Sequence, residues 1–357
     1  MKKRLSALLC MLLAAAMLLA SCSSDDGEVV MSYGEASVTE NLYIYMLALG
    51  KSTVLQNFSG STADIPALWD QEMGKDSNGE IVTYGKMSYI DQQLDIKTKL
   101  FFADYALSHG GELTDDEKKE IQSQLDTIIN SEQFGGSEAA LNKFLETFTM
   151  DYDKLEKYYE LEALYAKGMS MAFSEGGEYE VPLEDAMTYY KNNYVTVRHI
   201  AIGTEYAGVD EDGNKIYYTE EEKEGRKKII EEICAGLDSG ESFEKYEMLS
   251  EDGFSESNPN GYTITKGVLG TAMAGYEKIA YSLKEGEYDV FELEGTGTYI
   301  IQRMPLSEND FRNCYQVIMT SLVDAASAQA VLDNEKNFKI NQELVDSYNM
   351  KMIPVLG

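Results

Sequence analysis

Alternating apolar and polar positions mark a strand in VTVRHIAIG, residues 195–203. Successive side chains of a strand point to opposite faces, so Val195, Val197, His199 and Ala201 share one face. The chain contains only two histidines, and this one points the same way as two valines. The pattern alone predicts a histidine that is satisfied within an apolar core.

Helical spacing of apolar residues dominates the chain before this strand. A short hairpin at 29–39 leads into a helix with Thr39 as its predicted N-cap. Residues 57–86 are polar and rich in Gly, Ser and Asp, so they are predicted to form a loop. Thr114 and Glu117 have capping-box spacing. Further helices are predicted at about 88–108, 137–148, 151–173 and 182–192.

The pattern changes after residue 193. Residues 195–303 are predicted to form a strand, a long loop, two helices, a strand, a helix and two strands. Ser307 and Asp310 suggest a cap for a long amphipathic helix that runs from about Phe311 to Tyr348. Such a helix needs an apolar surface to cover, and the N-terminal helices offer one.

We therefore predict an α+β fold in which both ends of the chain build one helical domain. An α+β domain with a small mixed sheet surrounded by helices is inserted between them. The predicted boundaries are 29–192 for the N-terminal helical part, 193–305 for the inserted domain and 306–357 for the C-terminal part.

The first 21 residues form an export signal with three positive charges followed by the apolar run 5–20. The run is short for a membrane span. LASC at 19–22 resembles the lipobox of bacterial lipoproteins, which implies cleavage before Cys22, lipid on its thiol and a polar tether over 22–28. The alternative is an ordinary signal peptide that happens to end near a cysteine.

The formal net charge is −32, and loss of the signal removes only positive charge. Such a surface repels phosphate backbones and anionic headgroups, so nucleic acid is a poor partner, while basic or unfolded polypeptide is a reasonable one. Of the four cysteines, Cys10 leaves with the signal. Cys234 lies on an apolar helical stripe and is predicted to be a buried free thiol, although a bridge to Cys314 stays open.

Two other chemistries have partial signatures in the chain. Asp210, Asp212, Asn214 and Glu221 fit positions of a calcium-binding EF-hand loop, but Lys215 stands where the sharp turn needs glycine. An acidic surface loop is the better interpretation, and no metal is predicted. The chain has no Gly-x-Ser-x-Gly elbow, which argues against a hydrolase.

A set of motifs in order along 193–305 resembles the parvulin-type peptidyl-prolyl isomerases. VRHIAI resembles their first strand, GLDSGESFEKYEMLSED their Gly-x-x-Phe turn and Ser-x-Asp, and NGYTITKG the next strand. GYEKIAYSLKEGEYD and GTGTYIIQR resemble the last helix and the closing strands. The flanks, YGEASVT with its helix and the returning C-terminal helix, resemble the chaperone portions of exported foldases of the PrsA and SurA type.

The resemblance implies a site. His199 matches the family's first-strand histidine, and Asp252 matches a position that holds Asp or Cys. Tyr299 replaces the second histidine of the family's pair, and a phenol can still donate and accept a hydrogen bond. The resemblance further implies a substrate-binding set of Ile264, Leu269, Met273 and Tyr276.

The first hypothesis for function is a lipid-anchored foldase on the extracytoplasmic face of the cell membrane. It would isomerise Xaa-Pro bonds in unfolded or partly folded secreted polypeptides, without metal or cofactor. The second is a non-catalytic, peptide-binding holdase with a degenerate isomerase domain, and the third is a solute-binding lipoprotein. The oligomeric state, including a homodimer, is left open.

Overall fold

The computed structural model describes residues 27–253, 257–258 and 260–356. The signal, Cys22 and most of the tether lie outside these residues. The described chain divides into two compact units. Unit 1 comprises the described residues of Met1–Glu180 and Val323–Gly357, and unit 2 is Val181–Leu322.

Unit 1 is mainly helical and opens with a β-hairpin. Its elements up to Glu180 are β1 (Val29–Tyr33), β2 (Ala36–Thr39), α1 (Glu40–Ser59), α2 (Pro66–Trp69), β3 (Glu72–Lys75), β4 (Ile81–Thr83), α3 (Tyr84–Ser108), α4 (Asp115–Ile129), α5 (Glu138–Leu145) with a 3-10 turn (Glu146–Phe148), and α6 (Tyr152–Phe173).

Unit 2 contains the inserted sheet. Its elements are α7 (Leu183–Asn193), β5 (Tyr194–Gly203), β6 (Tyr206–Val209), β7 (Lys215–Tyr217), α8 (Glu220–Asp238), α9 (Glu244–Glu247), β8 (Tyr262–Thr265), a 3-10 turn (Thr271–Met273), α10 (Ala274–Ser282), β9 (Tyr288–Leu293) and β10 (Gly297–Met304). The chain continues through α11 (Glu308–Asp333), a 3-10 turn (Glu335–Asn337), β11 (Lys339–Ile340) and α12 (Gln342–Ser347).

Both ends of the chain contribute to the core of unit 1. Strand β11 pairs antiparallel with β1, with Met31 opposite Ile340, and completes a three-stranded sheet in the order β11-β1-β2. Buried residues near the C-terminus, among them Val331 and Ile353, share one apolar cluster with Phe102 and other residues of the N-terminal helices. Burial of this shared apolar surface is the main driving force for closing the unit.

A buried lysine also joins the two ends. The Lys51 side chain is fully buried, and its ammonium donates to the Ile353 carbonyl at 2.9 Å and to Asp64 at 3.1 Å. A buried ammonium is costly unless it is paired and hydrogen-bonded. The position of the C-terminal segment is therefore fixed by a polar contact as well as by apolar packing.

The prediction of a loop in this unit was wrong, while the predicted N-cap position of Thr39 was correct. Residues 57–86 are not a loop, because Trp69 is buried on α2 and its indole N–H donates to Asp64 at 2.9 Å. A hairpin of β3 and β4 follows, with a tight turn in which Asp76 accepts from two backbone N–H groups. The polar composition of residues 57–86 gave no sign that β3 and β4 pair. Thr39 occupies the N-cap position of α1 without a side-chain capping bond.

The predicted helix to Tyr348 ends at Asp333. The Asn334 side chain donates to the Ala330 carbonyl at 2.9 Å and helps to close the helix end. The chain then forms β11 on the edge of β1. Pairing this edge satisfies backbone groups that a longer helix would leave exposed on β1.

Helix α7, predicted within the helical domain, belongs to unit 2 by its contacts. Tyr190 packs against Phe311 with ring centroids 5.4 Å apart, and its hydroxyl donates to the Ser307 carbonyl at 3.4 Å. These residues and Tyr194 belong to one apolar cluster. The start of α11, capped by Ser307 as predicted, therefore lies in unit 2 with α7.

The unit 2 sheet has the order β8-β5-β10-β9, and each of its strand pairs is antiparallel. The α+β fold class is confirmed, but the predicted mixed sheet is antiparallel, since β5 runs opposite to both of its neighbours and β9 and β10 form a hairpin. The predicted long loop after β5 contains the β6–β7 hairpin, whose turn is closed by Asp210.

Alternation along β5 occurs as predicted. Val195 and Val197 pack on one face in a cluster with Ile264, Tyr276 and Ile301. The alternate residues Ile200 and Ile202 pack on the other face. Helix α10 supplies Tyr276 to the first face and helix α8 supplies residues to the second. Strand β5 is therefore covered on both sides, and the side chain of His199 is 6% exposed.

Removal of the Ile353 side chain tests the closure of unit 1. Ile353→Ala should lower the free energy of unfolding by about 2–4 kcal/mol, because the residue is 2% exposed and leaves a cavity. The adjacent Met352 is 62% exposed, so Met352→Ala should change the free energy of unfolding by less than about 0.5 kcal/mol. Denaturant unfolding of both variants measures these changes. Equal losses of unfolding free energy in the two variants would contradict a role for Ile353 in the core of unit 1.

Candidate functional site

His199 is surrounded by aromatic rings. The rings of Tyr262, Tyr276 and Tyr299 approach it edge-on, with centroid distances of 5.7, 5.7 and 5.3 Å. Tyr262 comes from β8, Tyr276 from α10 and Tyr299 from β10. The sheet and one helix therefore fix the imidazole by packing, apart from any hydrogen bond.

Both imidazole nitrogens of His199 have polar partners. Nδ1 lies 2.8 Å from the Tyr276 hydroxyl and 3.1 Å from the Tyr262 hydroxyl, and the two hydroxyls contact each other. Nε2 lies 2.5 Å from Asp252 Oδ2. Because a carboxylate only accepts, Nε2–H donates to Asp252.

The segment that carries Asp252 is tied to the free edge of β5. Strand β8 pairs with β5 only over Tyr194–Val197, which leaves later backbone groups of β5 available. The Ala201 N–H donates to Ser250 Oγ, and the Glu251 N–H donates to the Ala201 carbonyl, both at 2.9 Å. Ser250 in turn donates to Asp252 Oδ1 at 2.9 Å. Both carboxylate oxygens of Asp252 are thus held in place.

A second anchor lies next to this one. The Gly203 N–H donates to Glu251 at 2.9 Å. Arg226 of α8 donates to the other oxygen of Glu251 and to the Gly203 carbonyl. Its guanidinium also lies over the Tyr218 ring, 4.6 Å from the centroid. Helix α8 therefore helps to hold the 250–252 segment against the end of β5.

The tyrosines of the site keep their protons. Burial is the largest cause that raises the pKa of Tyr262, to about 12. Burial also raises the pKa of Tyr276 far above its ordinary value, and the nearby Tyr262 adds to the effect. Burial raises the pKa of Tyr299 as well. These phenols stay neutral donors throughout the physiological pH range.

The structure brings the three predicted catalytic residues together. His199 bonds Asp252, and Tyr299 contacts His199 through its ring edge. The predicted role of Tyr299, replacing an imidazole in a hydrogen-bond network, stays a prediction. Tyr276, predicted as a substrate wall, is fully buried and bonds Nδ1 instead.

The other predicted substrate-binding residues differ in exposure. Ile264 is 4% exposed and lies opposite Val195 in the sheet, so it offers almost no surface as the site stands. Leu269 and Met273 are partly exposed and pack against the same cluster. They are the members of the predicted set that a peptide can reach.

Sequence reasoning missed Tyr262, Ser250 and Arg226. Tyr262 lies two residues before Ile264, and alternation places both on one face of β8, so the strand pattern contained the signal. Ser250 is part of the motif that led to Asp252. Nothing near Arg226 in the sequence indicates its contact with Glu251, because that contact joins a helix to a distant turn.

A cleft of about 240 Å³ adjoins the site. Asp252 and Tyr299 belong both to the His199 cluster and to its lining. The lining residues are Ala201, Ile202, Gly203, Tyr206, Ala207, Gly208, Tyr218, Glu251, Asp252, Thr296, Gly297, Thr298 and Tyr299. This cleft gives a ligand access to the exposed side of the Asp252 carboxylate.

The arrangement favours binding and polarisation over covalent chemistry. His199 and Ser250 both bond the Asp252 carboxylate, and the histidine is 6% exposed between aromatic rings. Among the described residues, no group of three or more His, Cys, Asp or Glu could hold a metal ion. Cys234 and Cys314 are free thiols, and burial raises the pKa of each.

No family model and no curated protein matches the sequence. Among solved structures, the chain is similar to PrsA from Bacillus subtilis, at 20% identity over 80% of this chain and 94% of that chain, with a TM-score of 0.23. A peptidylprolyl isomerase (PrsA) from Bacillus cereus is 15% identical over 78% and 91%, with a TM-score of 0.28. A foldase protein (PrsA) from Lactococcus lactis is 12% identical over 90% and 99%, with a TM-score of 0.26.

The pKa of Tyr262 predicts a loss of stability at alkaline pH. Unfolded tyrosine ionises near pH 10 and Tyr262 near pH 12. Between these values the unfolded state binds fewer protons, so the free energy of unfolding falls by about 1.4 kcal/mol per pH unit for this residue. Tyr262→Phe should make the fall shallower by that amount, as measured by denaturant unfolding.

Tyr217→Phe is the matched control for this measurement. Its side chain is on β7 of the same unit and is 66% exposed. The control should keep the slope of the unsubstituted protein. An identical slope in all three proteins would contradict a neutral, buried Tyr262.

Proposed function

We propose that unit 2 is a peptidyl-prolyl cis-trans isomerase site in a lipid-anchored, extracytoplasmic foldase. The observation that carries this proposal is the buried His199, bonded through Nδ1 to two tyrosine hydroxyls and through Nε2 to Asp252 at the edge of a cleft. The cluster matches the residues that the parvulin-like motifs identified, and it presents one carboxylate to a ligand.

Rotation about an Xaa-Pro bond breaks no covalent bond. Its barrier is about 18–20 kcal/mol and comes from amide resonance, which gives the C–N bond partial double-bond character. A site lowers the barrier when it stabilises the twisted amide more than the planar one. The reaction therefore needs a carefully placed polar group and apolar surface for the proline ring.

Asp252 supplies the polar group in this proposal. A carboxylate beside the amide oxygen disfavours the resonance form in which that oxygen is negative, and this form causes the double-bond character. His199 and Ser250 hold the carboxylate in one orientation, so no reorganisation is needed during rotation. Leu269 and Met273 offer partly exposed apolar surface for the ring.

The cellular context rests on the sequence. The export signal and the lipobox-like LASC predict lipid on Cys22. No helix among the described residues is long and apolar enough to cross a membrane. The acidic chain suits basic or unfolded secreted polypeptides as clients.

In this proposal unit 1 holds clients while unit 2 acts on them. A cleft of about 390 Å³ lies in unit 1 and is lined by apolar and polar groups from α1, α3 and α6, including Met46, Leu49 and Tyr158. Such a mixed lining can contact varied segments of an unfolded chain.

A non-catalytic holdase is the second candidate. The burial of Ile264 and Tyr276 favours it, because two of the residues expected to form the proline pocket offer almost no surface. In that case the cleft beside Asp252 binds extended peptides without accelerating rotation.

Substitution of Asp252 and His199 tests the catalytic proposal. Asp252→Asn keeps the size of the side chain, removes its charge and leaves one accepting oxygen where the carboxylate has two. We expect it to lower kcat/KM on Xaa-Pro peptides by about tenfold or more, about 1.4 kcal/mol in the barrier, and His199→Ala to do the same. An isomerisation assay on the full chain, with circular dichroism as a folding check, measures this.

His109→Ala is the control for that experiment. His109 is the other histidine, lies in unit 1 and stacks on Tyr105 at a helix end. Its replacement should leave kcat/KM unchanged. No acceleration by the folded, unsubstituted protein would favour the holdase, and full activity in Asp252→Asn would remove Asp252 from the mechanism.

The ring contact of Tyr299 predicts that its hydroxyl is dispensable. Tyr299 meets His199 through the ring at a centroid distance of 5.3 Å, so Tyr299→Phe should keep kcat/KM within about twofold. Tyr299→Ala removes the ring and should lower it much further. The same assay compares the two variants, and a large loss in Tyr299→Phe would give the hydroxyl a direct role.

A further inference from the structure

The cleft beside Asp252 is positioned to hold the residue that precedes proline. Asp252 and Tyr299 belong both to the cleft and to the His199 cluster. One residue advances an extended chain by only about 3.3–3.6 Å. When the proline ring lies against Leu269 and Met273 and its amide lies at Asp252, the preceding side chain enters the cleft. This placement of the peptide rests on the proposed function.

Two of the side chains that line the cleft are carboxylates. Glu251 and Asp252 contribute carboxylates whose side chains are 46% and 29% exposed. Each carboxylate oxygen has more than one lone-pair site, so Glu251 can accept from a ligand while it keeps its hydrogen bond from Gly203. Net negative charge on the whole chain adds a long-range attraction for cations.

The other walls of the cleft include three tyrosine rings, Tyr206, Tyr218 and Tyr299. Two of them already attract cations of this chain, since Lys215 lies 4.2 Å from the Tyr206 centroid and Arg226 lies 4.6 Å from that of Tyr218. Aromatic faces attract ammonium and guanidinium groups through the ring quadrupole. Carboxylates and aromatic rings around one cavity are complementary to a cationic side chain.

We infer that this cleft selects a basic residue, Lys or Arg, immediately before the proline. Glu251 is the specificity-determining residue and Arg226 its internal competitor, because the guanidinium neutralises the same carboxylate. Loss of the Glu251 charge should therefore weaken the preference for a basic preceding residue. Loss of the Arg226 charge should strengthen it.

The test uses the full chain and one peptide sequence with Lys, Leu or Glu before proline. We expect kcat/KM to be about three- to tenfold higher for Lys than for Glu, the range of a partly exposed charge interaction. Glu251→Gln, which keeps an acceptor for Gly203, should reduce this ratio by several fold. Arg226→Gln should increase it, and added salt should reduce it.

Glu231→Gln is the charge-matched control, since Glu231 is exposed on α8 and outside the cleft lining. It should leave the ratio unchanged. Equal kcat/KM for all three peptides, a preference for Leu, or variants that shift the ratio alike would overturn the inference.

Equilibrium binding of the same peptides, followed by fluorescence anisotropy, separates this inference from the proposed function. Tighter binding of the Lys peptide, with the same response to both variants, supports the inference even when no isomerisation is detected. Isomerisation that is indifferent to the preceding residue, together with equal binding, overturns the inference and leaves the proposed function standing.

Discussion

The site depends on one requirement, which is that a histidine buried in a central strand must have polar partners on both nitrogens. Strand β5 is covered on both faces, so water cannot serve this purpose for His199. Two tyrosines and one aspartate do so instead. Because an unsatisfied polar group in such a place costs several kcal/mol, β8, α10 and the 250–252 segment are all fixed relative to β5 by the same imidazole.

This requirement also explains why the hydrogen bond from Nε2 leads outward to Asp252. The tyrosine hydroxyls bond the inner nitrogen and are shielded, which keeps their pKa values high. The carboxylate bonds the outer nitrogen and remains partly exposed beside the cleft. Structural support and ligand contact are therefore divided between the two nitrogens of one ring, and the cleft meets the His199 cluster at Asp252 and Tyr299.

Much of this architecture could be predicted from sequence, because it depends on local signals. Alternation placed His199 on the correct face, and the capping box at Thr114 forms as its spacing indicates. Parvulin-like motifs located Asp252. The remaining features depend on distant contacts, such as the pairing of β11 with β1 and the ion pair of Arg226 with Glu251. The burial of Ile264 and Tyr276 likewise depends on how the strands and α10 pack in three dimensions.

The arrangement of unit 1 has a consequence for a polypeptide that is exported from its N-terminus. The outer edge of β1 has no strand beside it until Lys339 and Ile340 arrive, and the carbonyl partner of Lys51 lies at Ile353. The contiguous unit 2 emerges complete before either segment. In the proposed export the helical unit would pass through a stage with an open edge and an unfinished core, so a protein proposed to protect other chains would itself need protection at that stage.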